Sequence, residues 1–166
     1  TNDDYLIYNF DNEFMNKYKF SYKENDYAVS VENIPNVKNK VFLQDNFIYC
    51  NEEKCMYINE KMNLKGMHNI NNIMFILAVC QILKLDINQV VSSIKEFKPL
   101  EHRMEFVANI NGVDYYNDSI ATIPESTIDA INAIKNVNTI IVGGKDRGVN
   151  LEELIDFLKK SDIENI

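Results

Sequence analysis

Between Asn69 and Leu85 the chain is apolar almost all round. Ile70, Ile73, Met74, Leu77, Ala78 and Ile82 form a helical stripe, and Phe75, Ile76 and Val79 lie off it. A helix without a polar face is a buried helix, because no side of it gains from contact with water. The rest of the chain has to supply the cover. With 46% hydrophobic residues in 166, there is enough apolar side chain to form a core.

The residues before this helix read as short strands. "DYLIYN", "DYAVSV", "KVFLQDNFIYC" and "KCMYINE" are rich in Val, Ile, Tyr and Phe, with polar turn residues between them. "QDN" suggests a hairpin, so residues 1–65 are expected to form a meander-like β region. After the apolar helix, Asp86 is placed to cap a second helix, with Gln89 as its capping-box partner. The apolar face of that helix is Ile87, Val90, Val91 and Ile94. It should end before Pro99, since the residue preceding a proline avoids the helical region.

"FKPLEHR" marks a boundary. Beyond it Met104, Phe106, Ala108 and Ile110 alternate as in a half-buried strand. Asn111-Gly112 is a strong hairpin signal, and Val113 to Tyr116 would be the returning strand. Thr122, Pro124 and Glu125 mark a helix start, and Ile128, Ala130, Ile131, Ala133 and Ile134 would be its buried side. "TIIVGG" reads as a buried parallel strand. Asn150 is expected to cap a last helix with the face Leu151, Leu154, Ile155 and Leu158, and Lys159 and Lys160 suit its negative end. Strand, helix, strand, helix is an α/β pattern with at least part of its sheet parallel.

A formal charge of −8 argues against non-specific binding to nucleic acid or an anionic membrane surface. No apolar run approaches membrane-spanning length, and no signal peptide opens the chain. Cys50, Cys55 and Cys80 are odd in number and lack a neighbouring His for zinc, so they read as reduced thiols of a cytoplasmic protein. The first residue is Thr, and "SDIENI" has the look of a strand beginning, so a fragment of a longer protein is expected.

Four polar groups are candidates for chemistry. "NDSIAT" and "GGKDRG" each follow a strand and precede a helix, where open parallel sheets collect ligands. They carry Asp118, Thr122, Lys145, Asp146 and Arg147, and Gly143, Gly144 and Gly148 allow close backbone approach. The plain alternative for each is a solvated turn. In "GMHNINN", Asn69 is either an N-cap or one of two amides, with Asn72, on a single helix face. An amide both donates and accepts, as an adenine edge requires. "EHR" places His102 beside Arg103, whose guanidinium can grip a phosphate with two parallel bonds. None of the five glycines fits a P-loop.

"GMHNINNIMFILAVC", "KPLEHRMEFV", "GVDYYNDSIAT" and "IIVGGKDRG" resemble the Mur ligases in order and spacing, and "HRME" followed by "NDS-AT" points to their D-glutamate-adding branch. The resemblance is specific from about Lys65 to Gly148. It implies an α/β chain: residues 1–98 as the C-terminal part of a central ATP-binding domain, and 99–166 as the first part of a Rossmann-like domain. It further implies an ATP-dependent ligase that activates UDP-N-acetylmuramoyl-L-alanine as an acyl phosphate and adds D-glutamate, in cytoplasmic peptidoglycan precursor synthesis. ATP and Mg2+ are the implied cofactors, with the P-loop and the magnesium ligands outside these residues, and a monomer is expected. Asn69 and Asn72 would contact adenine. Arg103 and Asp118 would hold the ribose and phosphate side with His102 beside them, and Thr122 and Arg147 would face the D-glutamate carboxylate.

The resemblance breaks at Ile120, where many members carry Lys, and in "IPES" after Thr122. An apolar side chain cannot replace that charge, so Lys145 or Arg147 is left to supply it. Two other readings stand beside this one. One is another amino-acid ligase of the same family. The other, for these 166 residues alone, is a nucleotide-binding module without catalysis.

Overall fold

The computed structural model describes residues 4–17, 25–59 and 62–166, apart from the side chains of Asn16 and Lys17. Parts of the expected β region, residues 1–3, 18–24, 60 and 61, lie outside it. The chain divides into two compact units, one of residues 1–64 and 68–97, the other of 65–67 and 98–166.

The first unit is built on a five-stranded sheet in the order β1 (Ile7–Asn9), β2 (Tyr27–Ser30), β3 (Lys40–Gln44), β4 (Phe47–Cys50) and β5 (Glu53–Tyr57). A short helix, α1 (Glu13–Lys17), follows β1. The expected meander holds for β3, β4 and β5, which pair antiparallel, with Asp45 and Asn46 turning the hairpin in left-handed conformations. It fails for β1, β2 and β3, which run parallel. Parallel neighbours need a crossover connection; 17 residues separate β1 from β2, and only 9 separate β2 from β3.

The two faces of this sheet differ. One carries Val29, Val41, Ile48, Cys50 and Met56 against Ile73, Met74, Leu77 and Ala78 of α2 (Met67–Ile82) and Val91 and Ile94 of α3 (Ile87–Glu96). Tyr8, Ala28 and Ile34 form a smaller core apart from it. Further along, Phe42 stacks on its cross-strand partner Tyr49 at 5.0 Å, Phe47 meets Tyr57 at 4.9 Å, and the Lys54 ammonium sits 4.3 Å from the Phe47 ring. Cross-strand aromatic pairs of this kind each add a few tenths to about 1 kcal/mol.

The apolar helix is buried on one side only. Ile76 and Val79 are 45% and 42% exposed. The sheet can cover one face of a cylinder, and no second layer lies over the other face among the described residues of this unit. Asp86 does cap α3, its carboxylate accepting the Asn88 N–H at 2.9 Å. At the other end Asn63 donates to the Lys95 and Phe97 carbonyls, two of the acceptors a helix end leaves open.

In the second unit β6 (Glu105–Ile110) and β7 (Val113–Asn117) form an antiparallel hairpin. Asn111 and Gly112 both have positive φ, 52° and 84°, as its two-residue turn requires. The register shifts between Phe106 and Ala108, so strict alternation is lost. Phe106 and Ile110, expected to be half-buried, are 54% and 55% exposed, because among the described residues β6 and β7 pair only with each other. Helix α4 (Pro124–Ala133) packs against α5 (Glu152–Lys160). Ala130 and Leu154 are buried there, whereas Leu151 and Ile155 are exposed. Thr122 does not cap α4; Ile123 holds that position without a side-chain bond, ahead of Pro124. Asn150 lies one residue before the cap position of α5, and its Oδ1 accepts the Glu152 N–H at 2.8 Å.

"TIIVGG" does not form a buried strand. Thr139 makes one parallel bridge to Asn165, Ile141 is 96% exposed, and the chain from 141 to 150 is irregular. A parallel strand needs partners along its length, and the described residues offer it only the short segment around Asn165.

Lys40 is buried, and its ammonium donates to Asn33 Oδ1 at 3.1 Å and the Ile34 carbonyl at 3.0 Å and pairs with Glu52 at 3.0 Å. Lys40→Met would leave two acceptors without a donor, and is expected to destabilise the protein by about 1–3 kcal/mol in urea unfolding. An unchanged midpoint would show that the cluster adds nothing.

The three cysteines are free thiols. The bulge between Ile48 and Tyr49 leaves Cys55 beside Cys50. A hydrogen bond between these two thiols, with burial, pushes Cys50 up, and the same bond holds Cys55 below the ordinary thiol range. Burial raises Cys80. Thiolate is the reacting form. Cys55 is therefore expected to be alkylated first by iodoacetamide near neutral pH, and Cys50→Ala to slow it. Faster labelling of Cys80, read by peptide mass, would contradict this order.

Candidate functional site

The open end of the β6–β7 hairpin brings two of the sequence motifs together. Glu105 opens β6 opposite Asn117, the last residue of β7, so "EHR" and "NDS" leave the same end of the ribbon. Asp118 Oδ1 accepts the Met104 N–H at 2.9 Å, and the Ile120 N–H reaches the His102 carbonyl at 3.4 Å. His102 and Met104 both have left-handed backbones, with φ of 64° and 47°. For residues with a Cβ this costs about 1 kcal/mol or more each, and such strain persists only where surrounding bonds enforce it.

The imidazole of His102 is held from two sides. Asn117 Nδ2 lies 2.7 Å from Nδ1, which accepts the amide proton when the ring carries its own proton on Nε2. Glu105 Oε2 lies 3.6 Å from the same nitrogen, close enough to pair with a protonated ring. Asn117 Oδ1 also accepts the Ser119 N–H at 3.1 Å, and the Asp118 carbonyl accepts the Ala121 N–H at 3.0 Å, which closes the "NDSIA" turn.

Arg103 is partly buried between the two strained residues. Among the described residues its guanidinium makes no ion pair, although Asp118 and Glu105 belong to the same turn system. It therefore remains available to an anion. Among the described residues the other Asp118 oxygen, Oδ2, has no hydrogen-bond donor, and a carboxylate oxygen can accept hydroxyl groups.

The remaining candidates lie elsewhere. Thr122 is exposed, and no hydrogen bond or ion pair joins it to this turn. Ile120 keeps its side chain 45% exposed, so only its backbone takes part. Lys145 and Arg147 are exposed on the irregular loop after Thr139. Asp146 Oδ1 accepts the Gly148 N–H at 2.8 Å in a turn that needs the positive φ of Gly148, 70°. The expectation that "NDSIAT" and "GGKDRG" lie at the carboxyl ends of strands in an open parallel sheet is not met: among the described residues β7 pairs antiparallel with β6, and Thr139 makes a single bridge to Asn165.

In the first unit, α2 begins at Met67, so Asn69 lies inside its first turn and does not cap it. Asn69 is partly buried and Asn72, one turn later, is exposed. Residues three apart share a helix face. Among the described residues no group of three His, Cys, Asp or Glu side chains is gathered as a metal site, and no helix is long and apolar enough to cross a membrane.

Glu105 and Asn117 lie within "HRME" and "NDS", but the sequence reading gives neither a role. The available signal was spacing. Glu105 is three residues after His102, the separation at which a carboxylate reaches back to a backbone N–H. Asp118→Ala is expected to speed hydrogen exchange of the Met104 amide about tenfold, and Asp118→Asn, which keeps an acceptor oxygen, to leave it near the parent rate. Equal rates in the two variants would mean that this bond does not hold the turn.

No protein-family model matches the chain. It is similar to curated UDP-N-acetylmuramoylalanine–D-glutamate ligases. That of Clostridioides difficile is 33% identical over 161 residues, covering 96% of this chain and 35% of the relative. That of Fusobacterium nucleatum is 35% identical over 161 residues, with 97% and 36% covered. In Francisella tularensis subsp. tularensis the identity is 44% over 115 residues, with 68% and 27% covered. The chain thus spans about a third of the length of the curated relatives it matches. Among solved structures, a pseudomurein peptide ligase type C from Methanothermus fervidus matches with a TM-score of 0.60 at 16% identity, covering 81% of this chain and 35% of that one, which shows a common fold. With likeness running through nearly all of its residues in the first two relatives, this chain belongs to the Mur ligase family.

Proposed function

We propose that this chain is part of an ATP-dependent ligase that adds D-glutamate to UDP-N-acetylmuramoyl-L-alanine through an acyl phosphate. The proposal rests above all on the turn at the open end of the hairpin. There Arg103, whose guanidinium makes no ion pair among the described residues, shares a turn with Asp118, one oxygen of which holds the Met104 N–H. Guanidinium for phosphate and carboxylate for ribose hydroxyls is a donor and acceptor set that suits a nucleotide.

In this reading residues 1–98 are the end of the central ATP-binding domain and 99–166 the start of the Rossmann-like domain. Asn69 and Asn72 contact the adenine edge, while Arg103 and Asp118 hold the ribose and phosphate side. His102, tethered by Asn117, keeps the turn in place. Thr122 and Arg147 face the D-glutamate carboxylate, and Arg147 or Lys145 supplies the charge that Ile120 lacks. ATP, when bound, supplies the phosphoryl group that activates the substrate carboxylate. These residues bind and orient; positioning and charge stabilisation are the protein's share of such a reaction. Mg2+ is assigned to residues outside this chain. The enzyme acts in the cytoplasm, as a monomer, on small molecules. The 166 residues alone, which hold no P-loop, bind nucleotide weakly and do not turn over.

The test uses the whole ligase that carries this sequence. Phosphate release from ATP is expected only when UDP-N-acetylmuramoyl-L-alanine and D-glutamate are both present, and the isolated chain is expected to release none. Arg103→Ala and Asp118→Ala should each raise the KM for ATP by about ten- to a hundredfold. Turnover with a different amino acid would refute the substrate, and parental ATP kinetics in both variants would refute the nucleotide grip.

A further inference from the structure

We propose that Glu105 is a positioning residue for Arg103, bracing the strained turn that presents the guanidinium to the nucleotide. This rests on the nucleotide reading above and gives a role to the last residue of "HRME", which that reading leaves without one.

The turn has an unusual feature: three consecutive backbone N–H groups are each assigned to a fixed acceptor. The His102 N–H goes to Glu105 Oε2 at 2.8 Å, that of Arg103 to the Leu100 carbonyl at 3.1 Å, and that of Met104 to Asp118 Oδ1 at 2.9 Å. The outer two bind carboxylates, and they belong to the two residues with left-handed backbones. A bond from a backbone N–H to a charged acceptor is roughly twice as strong as a neutral one. Glu105 and Asp118 thus offset the strain on either side of Arg103.

An ordinary surface turn would not need this. It could take relaxed backbone angles, and its carboxylates would be free to neutralise the arginine between them. Here both carboxylates bind the backbone, and Arg103 makes no ion pair among the described residues. The arrangement holds the backbone of Arg103 in place and leaves its guanidinium without an ion pair among the described residues. An outlying backbone at a site with an unsatisfied charge points to function. Glu105 is well placed to serve as the brace because it opens β6, where pairing with Asn117 fixes its backbone.

The test is a double-mutant cycle on the intact ligase, with the KM for ATP and kcat as readouts. Glu105→Ala is expected to raise the KM for ATP about tenfold with kcat nearly unchanged. Glu105→Gln keeps an oxygen for the His102 N–H and is expected to restore most of the loss. Glu105→Asp keeps the charge but not the reach, and is expected to behave like Glu105→Ala, so the comparison survives if the alanine variant misfolds. In an Arg103→Ala background, Glu105→Ala should add nothing further. A penalty of undiminished size there, or a parental KM in both Glu105→Ala and Glu105→Asp, would overturn the proposal while the nucleotide reading stands. A parental KM in Arg103→Ala itself would remove the nucleotide reading and this proposal together.

Discussion

Backbone N–H groups that leave a helix or strand need acceptors, and in this chain side-chain oxygens repeatedly supply them. Asp118 takes the Met104 N–H and so joins two motifs that stand fourteen residues apart. Asp11 takes the Val31 N–H at 2.8 Å and the Ser30 hydroxyl at 2.6 Å, tying the end of β1 to that of its parallel neighbour β2. Asp86 starts α3, and Asp146 closes the turn at Gly148. A chain of net charge −8 would be expected to repel itself, but here several of its carboxylates serve as local anchors for turns. Each such bond to a charged group contributes about 1.5–3 kcal/mol where it is shielded from water, and less at the surface.

This economy of turns explains where the candidate site lies. Strands end abruptly in small polar residues because those residues bind the backbone that follows. At the end of β7 the result is a tight knot of Asn117, Asp118 and Ser119 facing the turn of His102 and Arg103. Among the described residues Arg103 makes no ion pair, and its backbone is anchored on both sides. An anchored backbone lowers the reorganisation needed to present that charge to an anion. In the first unit, α2 has a different character. One side of α2 is clamped to the sheet by Ile73, Met74, Leu77 and Ala78, and its first turns carry Asn69 and Asn72.

Much of this was legible in one dimension. Helix faces follow from spacing, so Val91 and Ile94 of α3 were readable as core, as was the Asn111-Gly112 hairpin from its turn chemistry. Local capping by Asp86 also follows from position alone. Strand direction was not readable: β1, β2 and β3 are as rich in β-branched and aromatic residues as antiparallel strands would be, and only their pairing makes them parallel. Burial of apolar runs was overestimated for the same reason. Ile76, Phe106 and Ile141 have the composition of core residues, but exposure depends on what lies opposite.

The sequence by itself determined most of the elements, though neither α1 nor the irregular course of "TIIVGG", and the family to which its motifs belong, because periodicity, turn residues and motif spacing are properties of neighbours along the chain. Tertiary structure decided which motifs meet. "EHR" and "NDS" converge because a hairpin folds one strand back on the other, and the left-handed backbones beside Arg103 exist because Glu105 and Asp118 are brought within bonding distance of two N–H groups. The Glu105 bond is local, three residues apart, but no spacing rule contains the Asp118 bond, since a hydrogen bond across a hairpin depends on register and on a bulge that places one residue out of step.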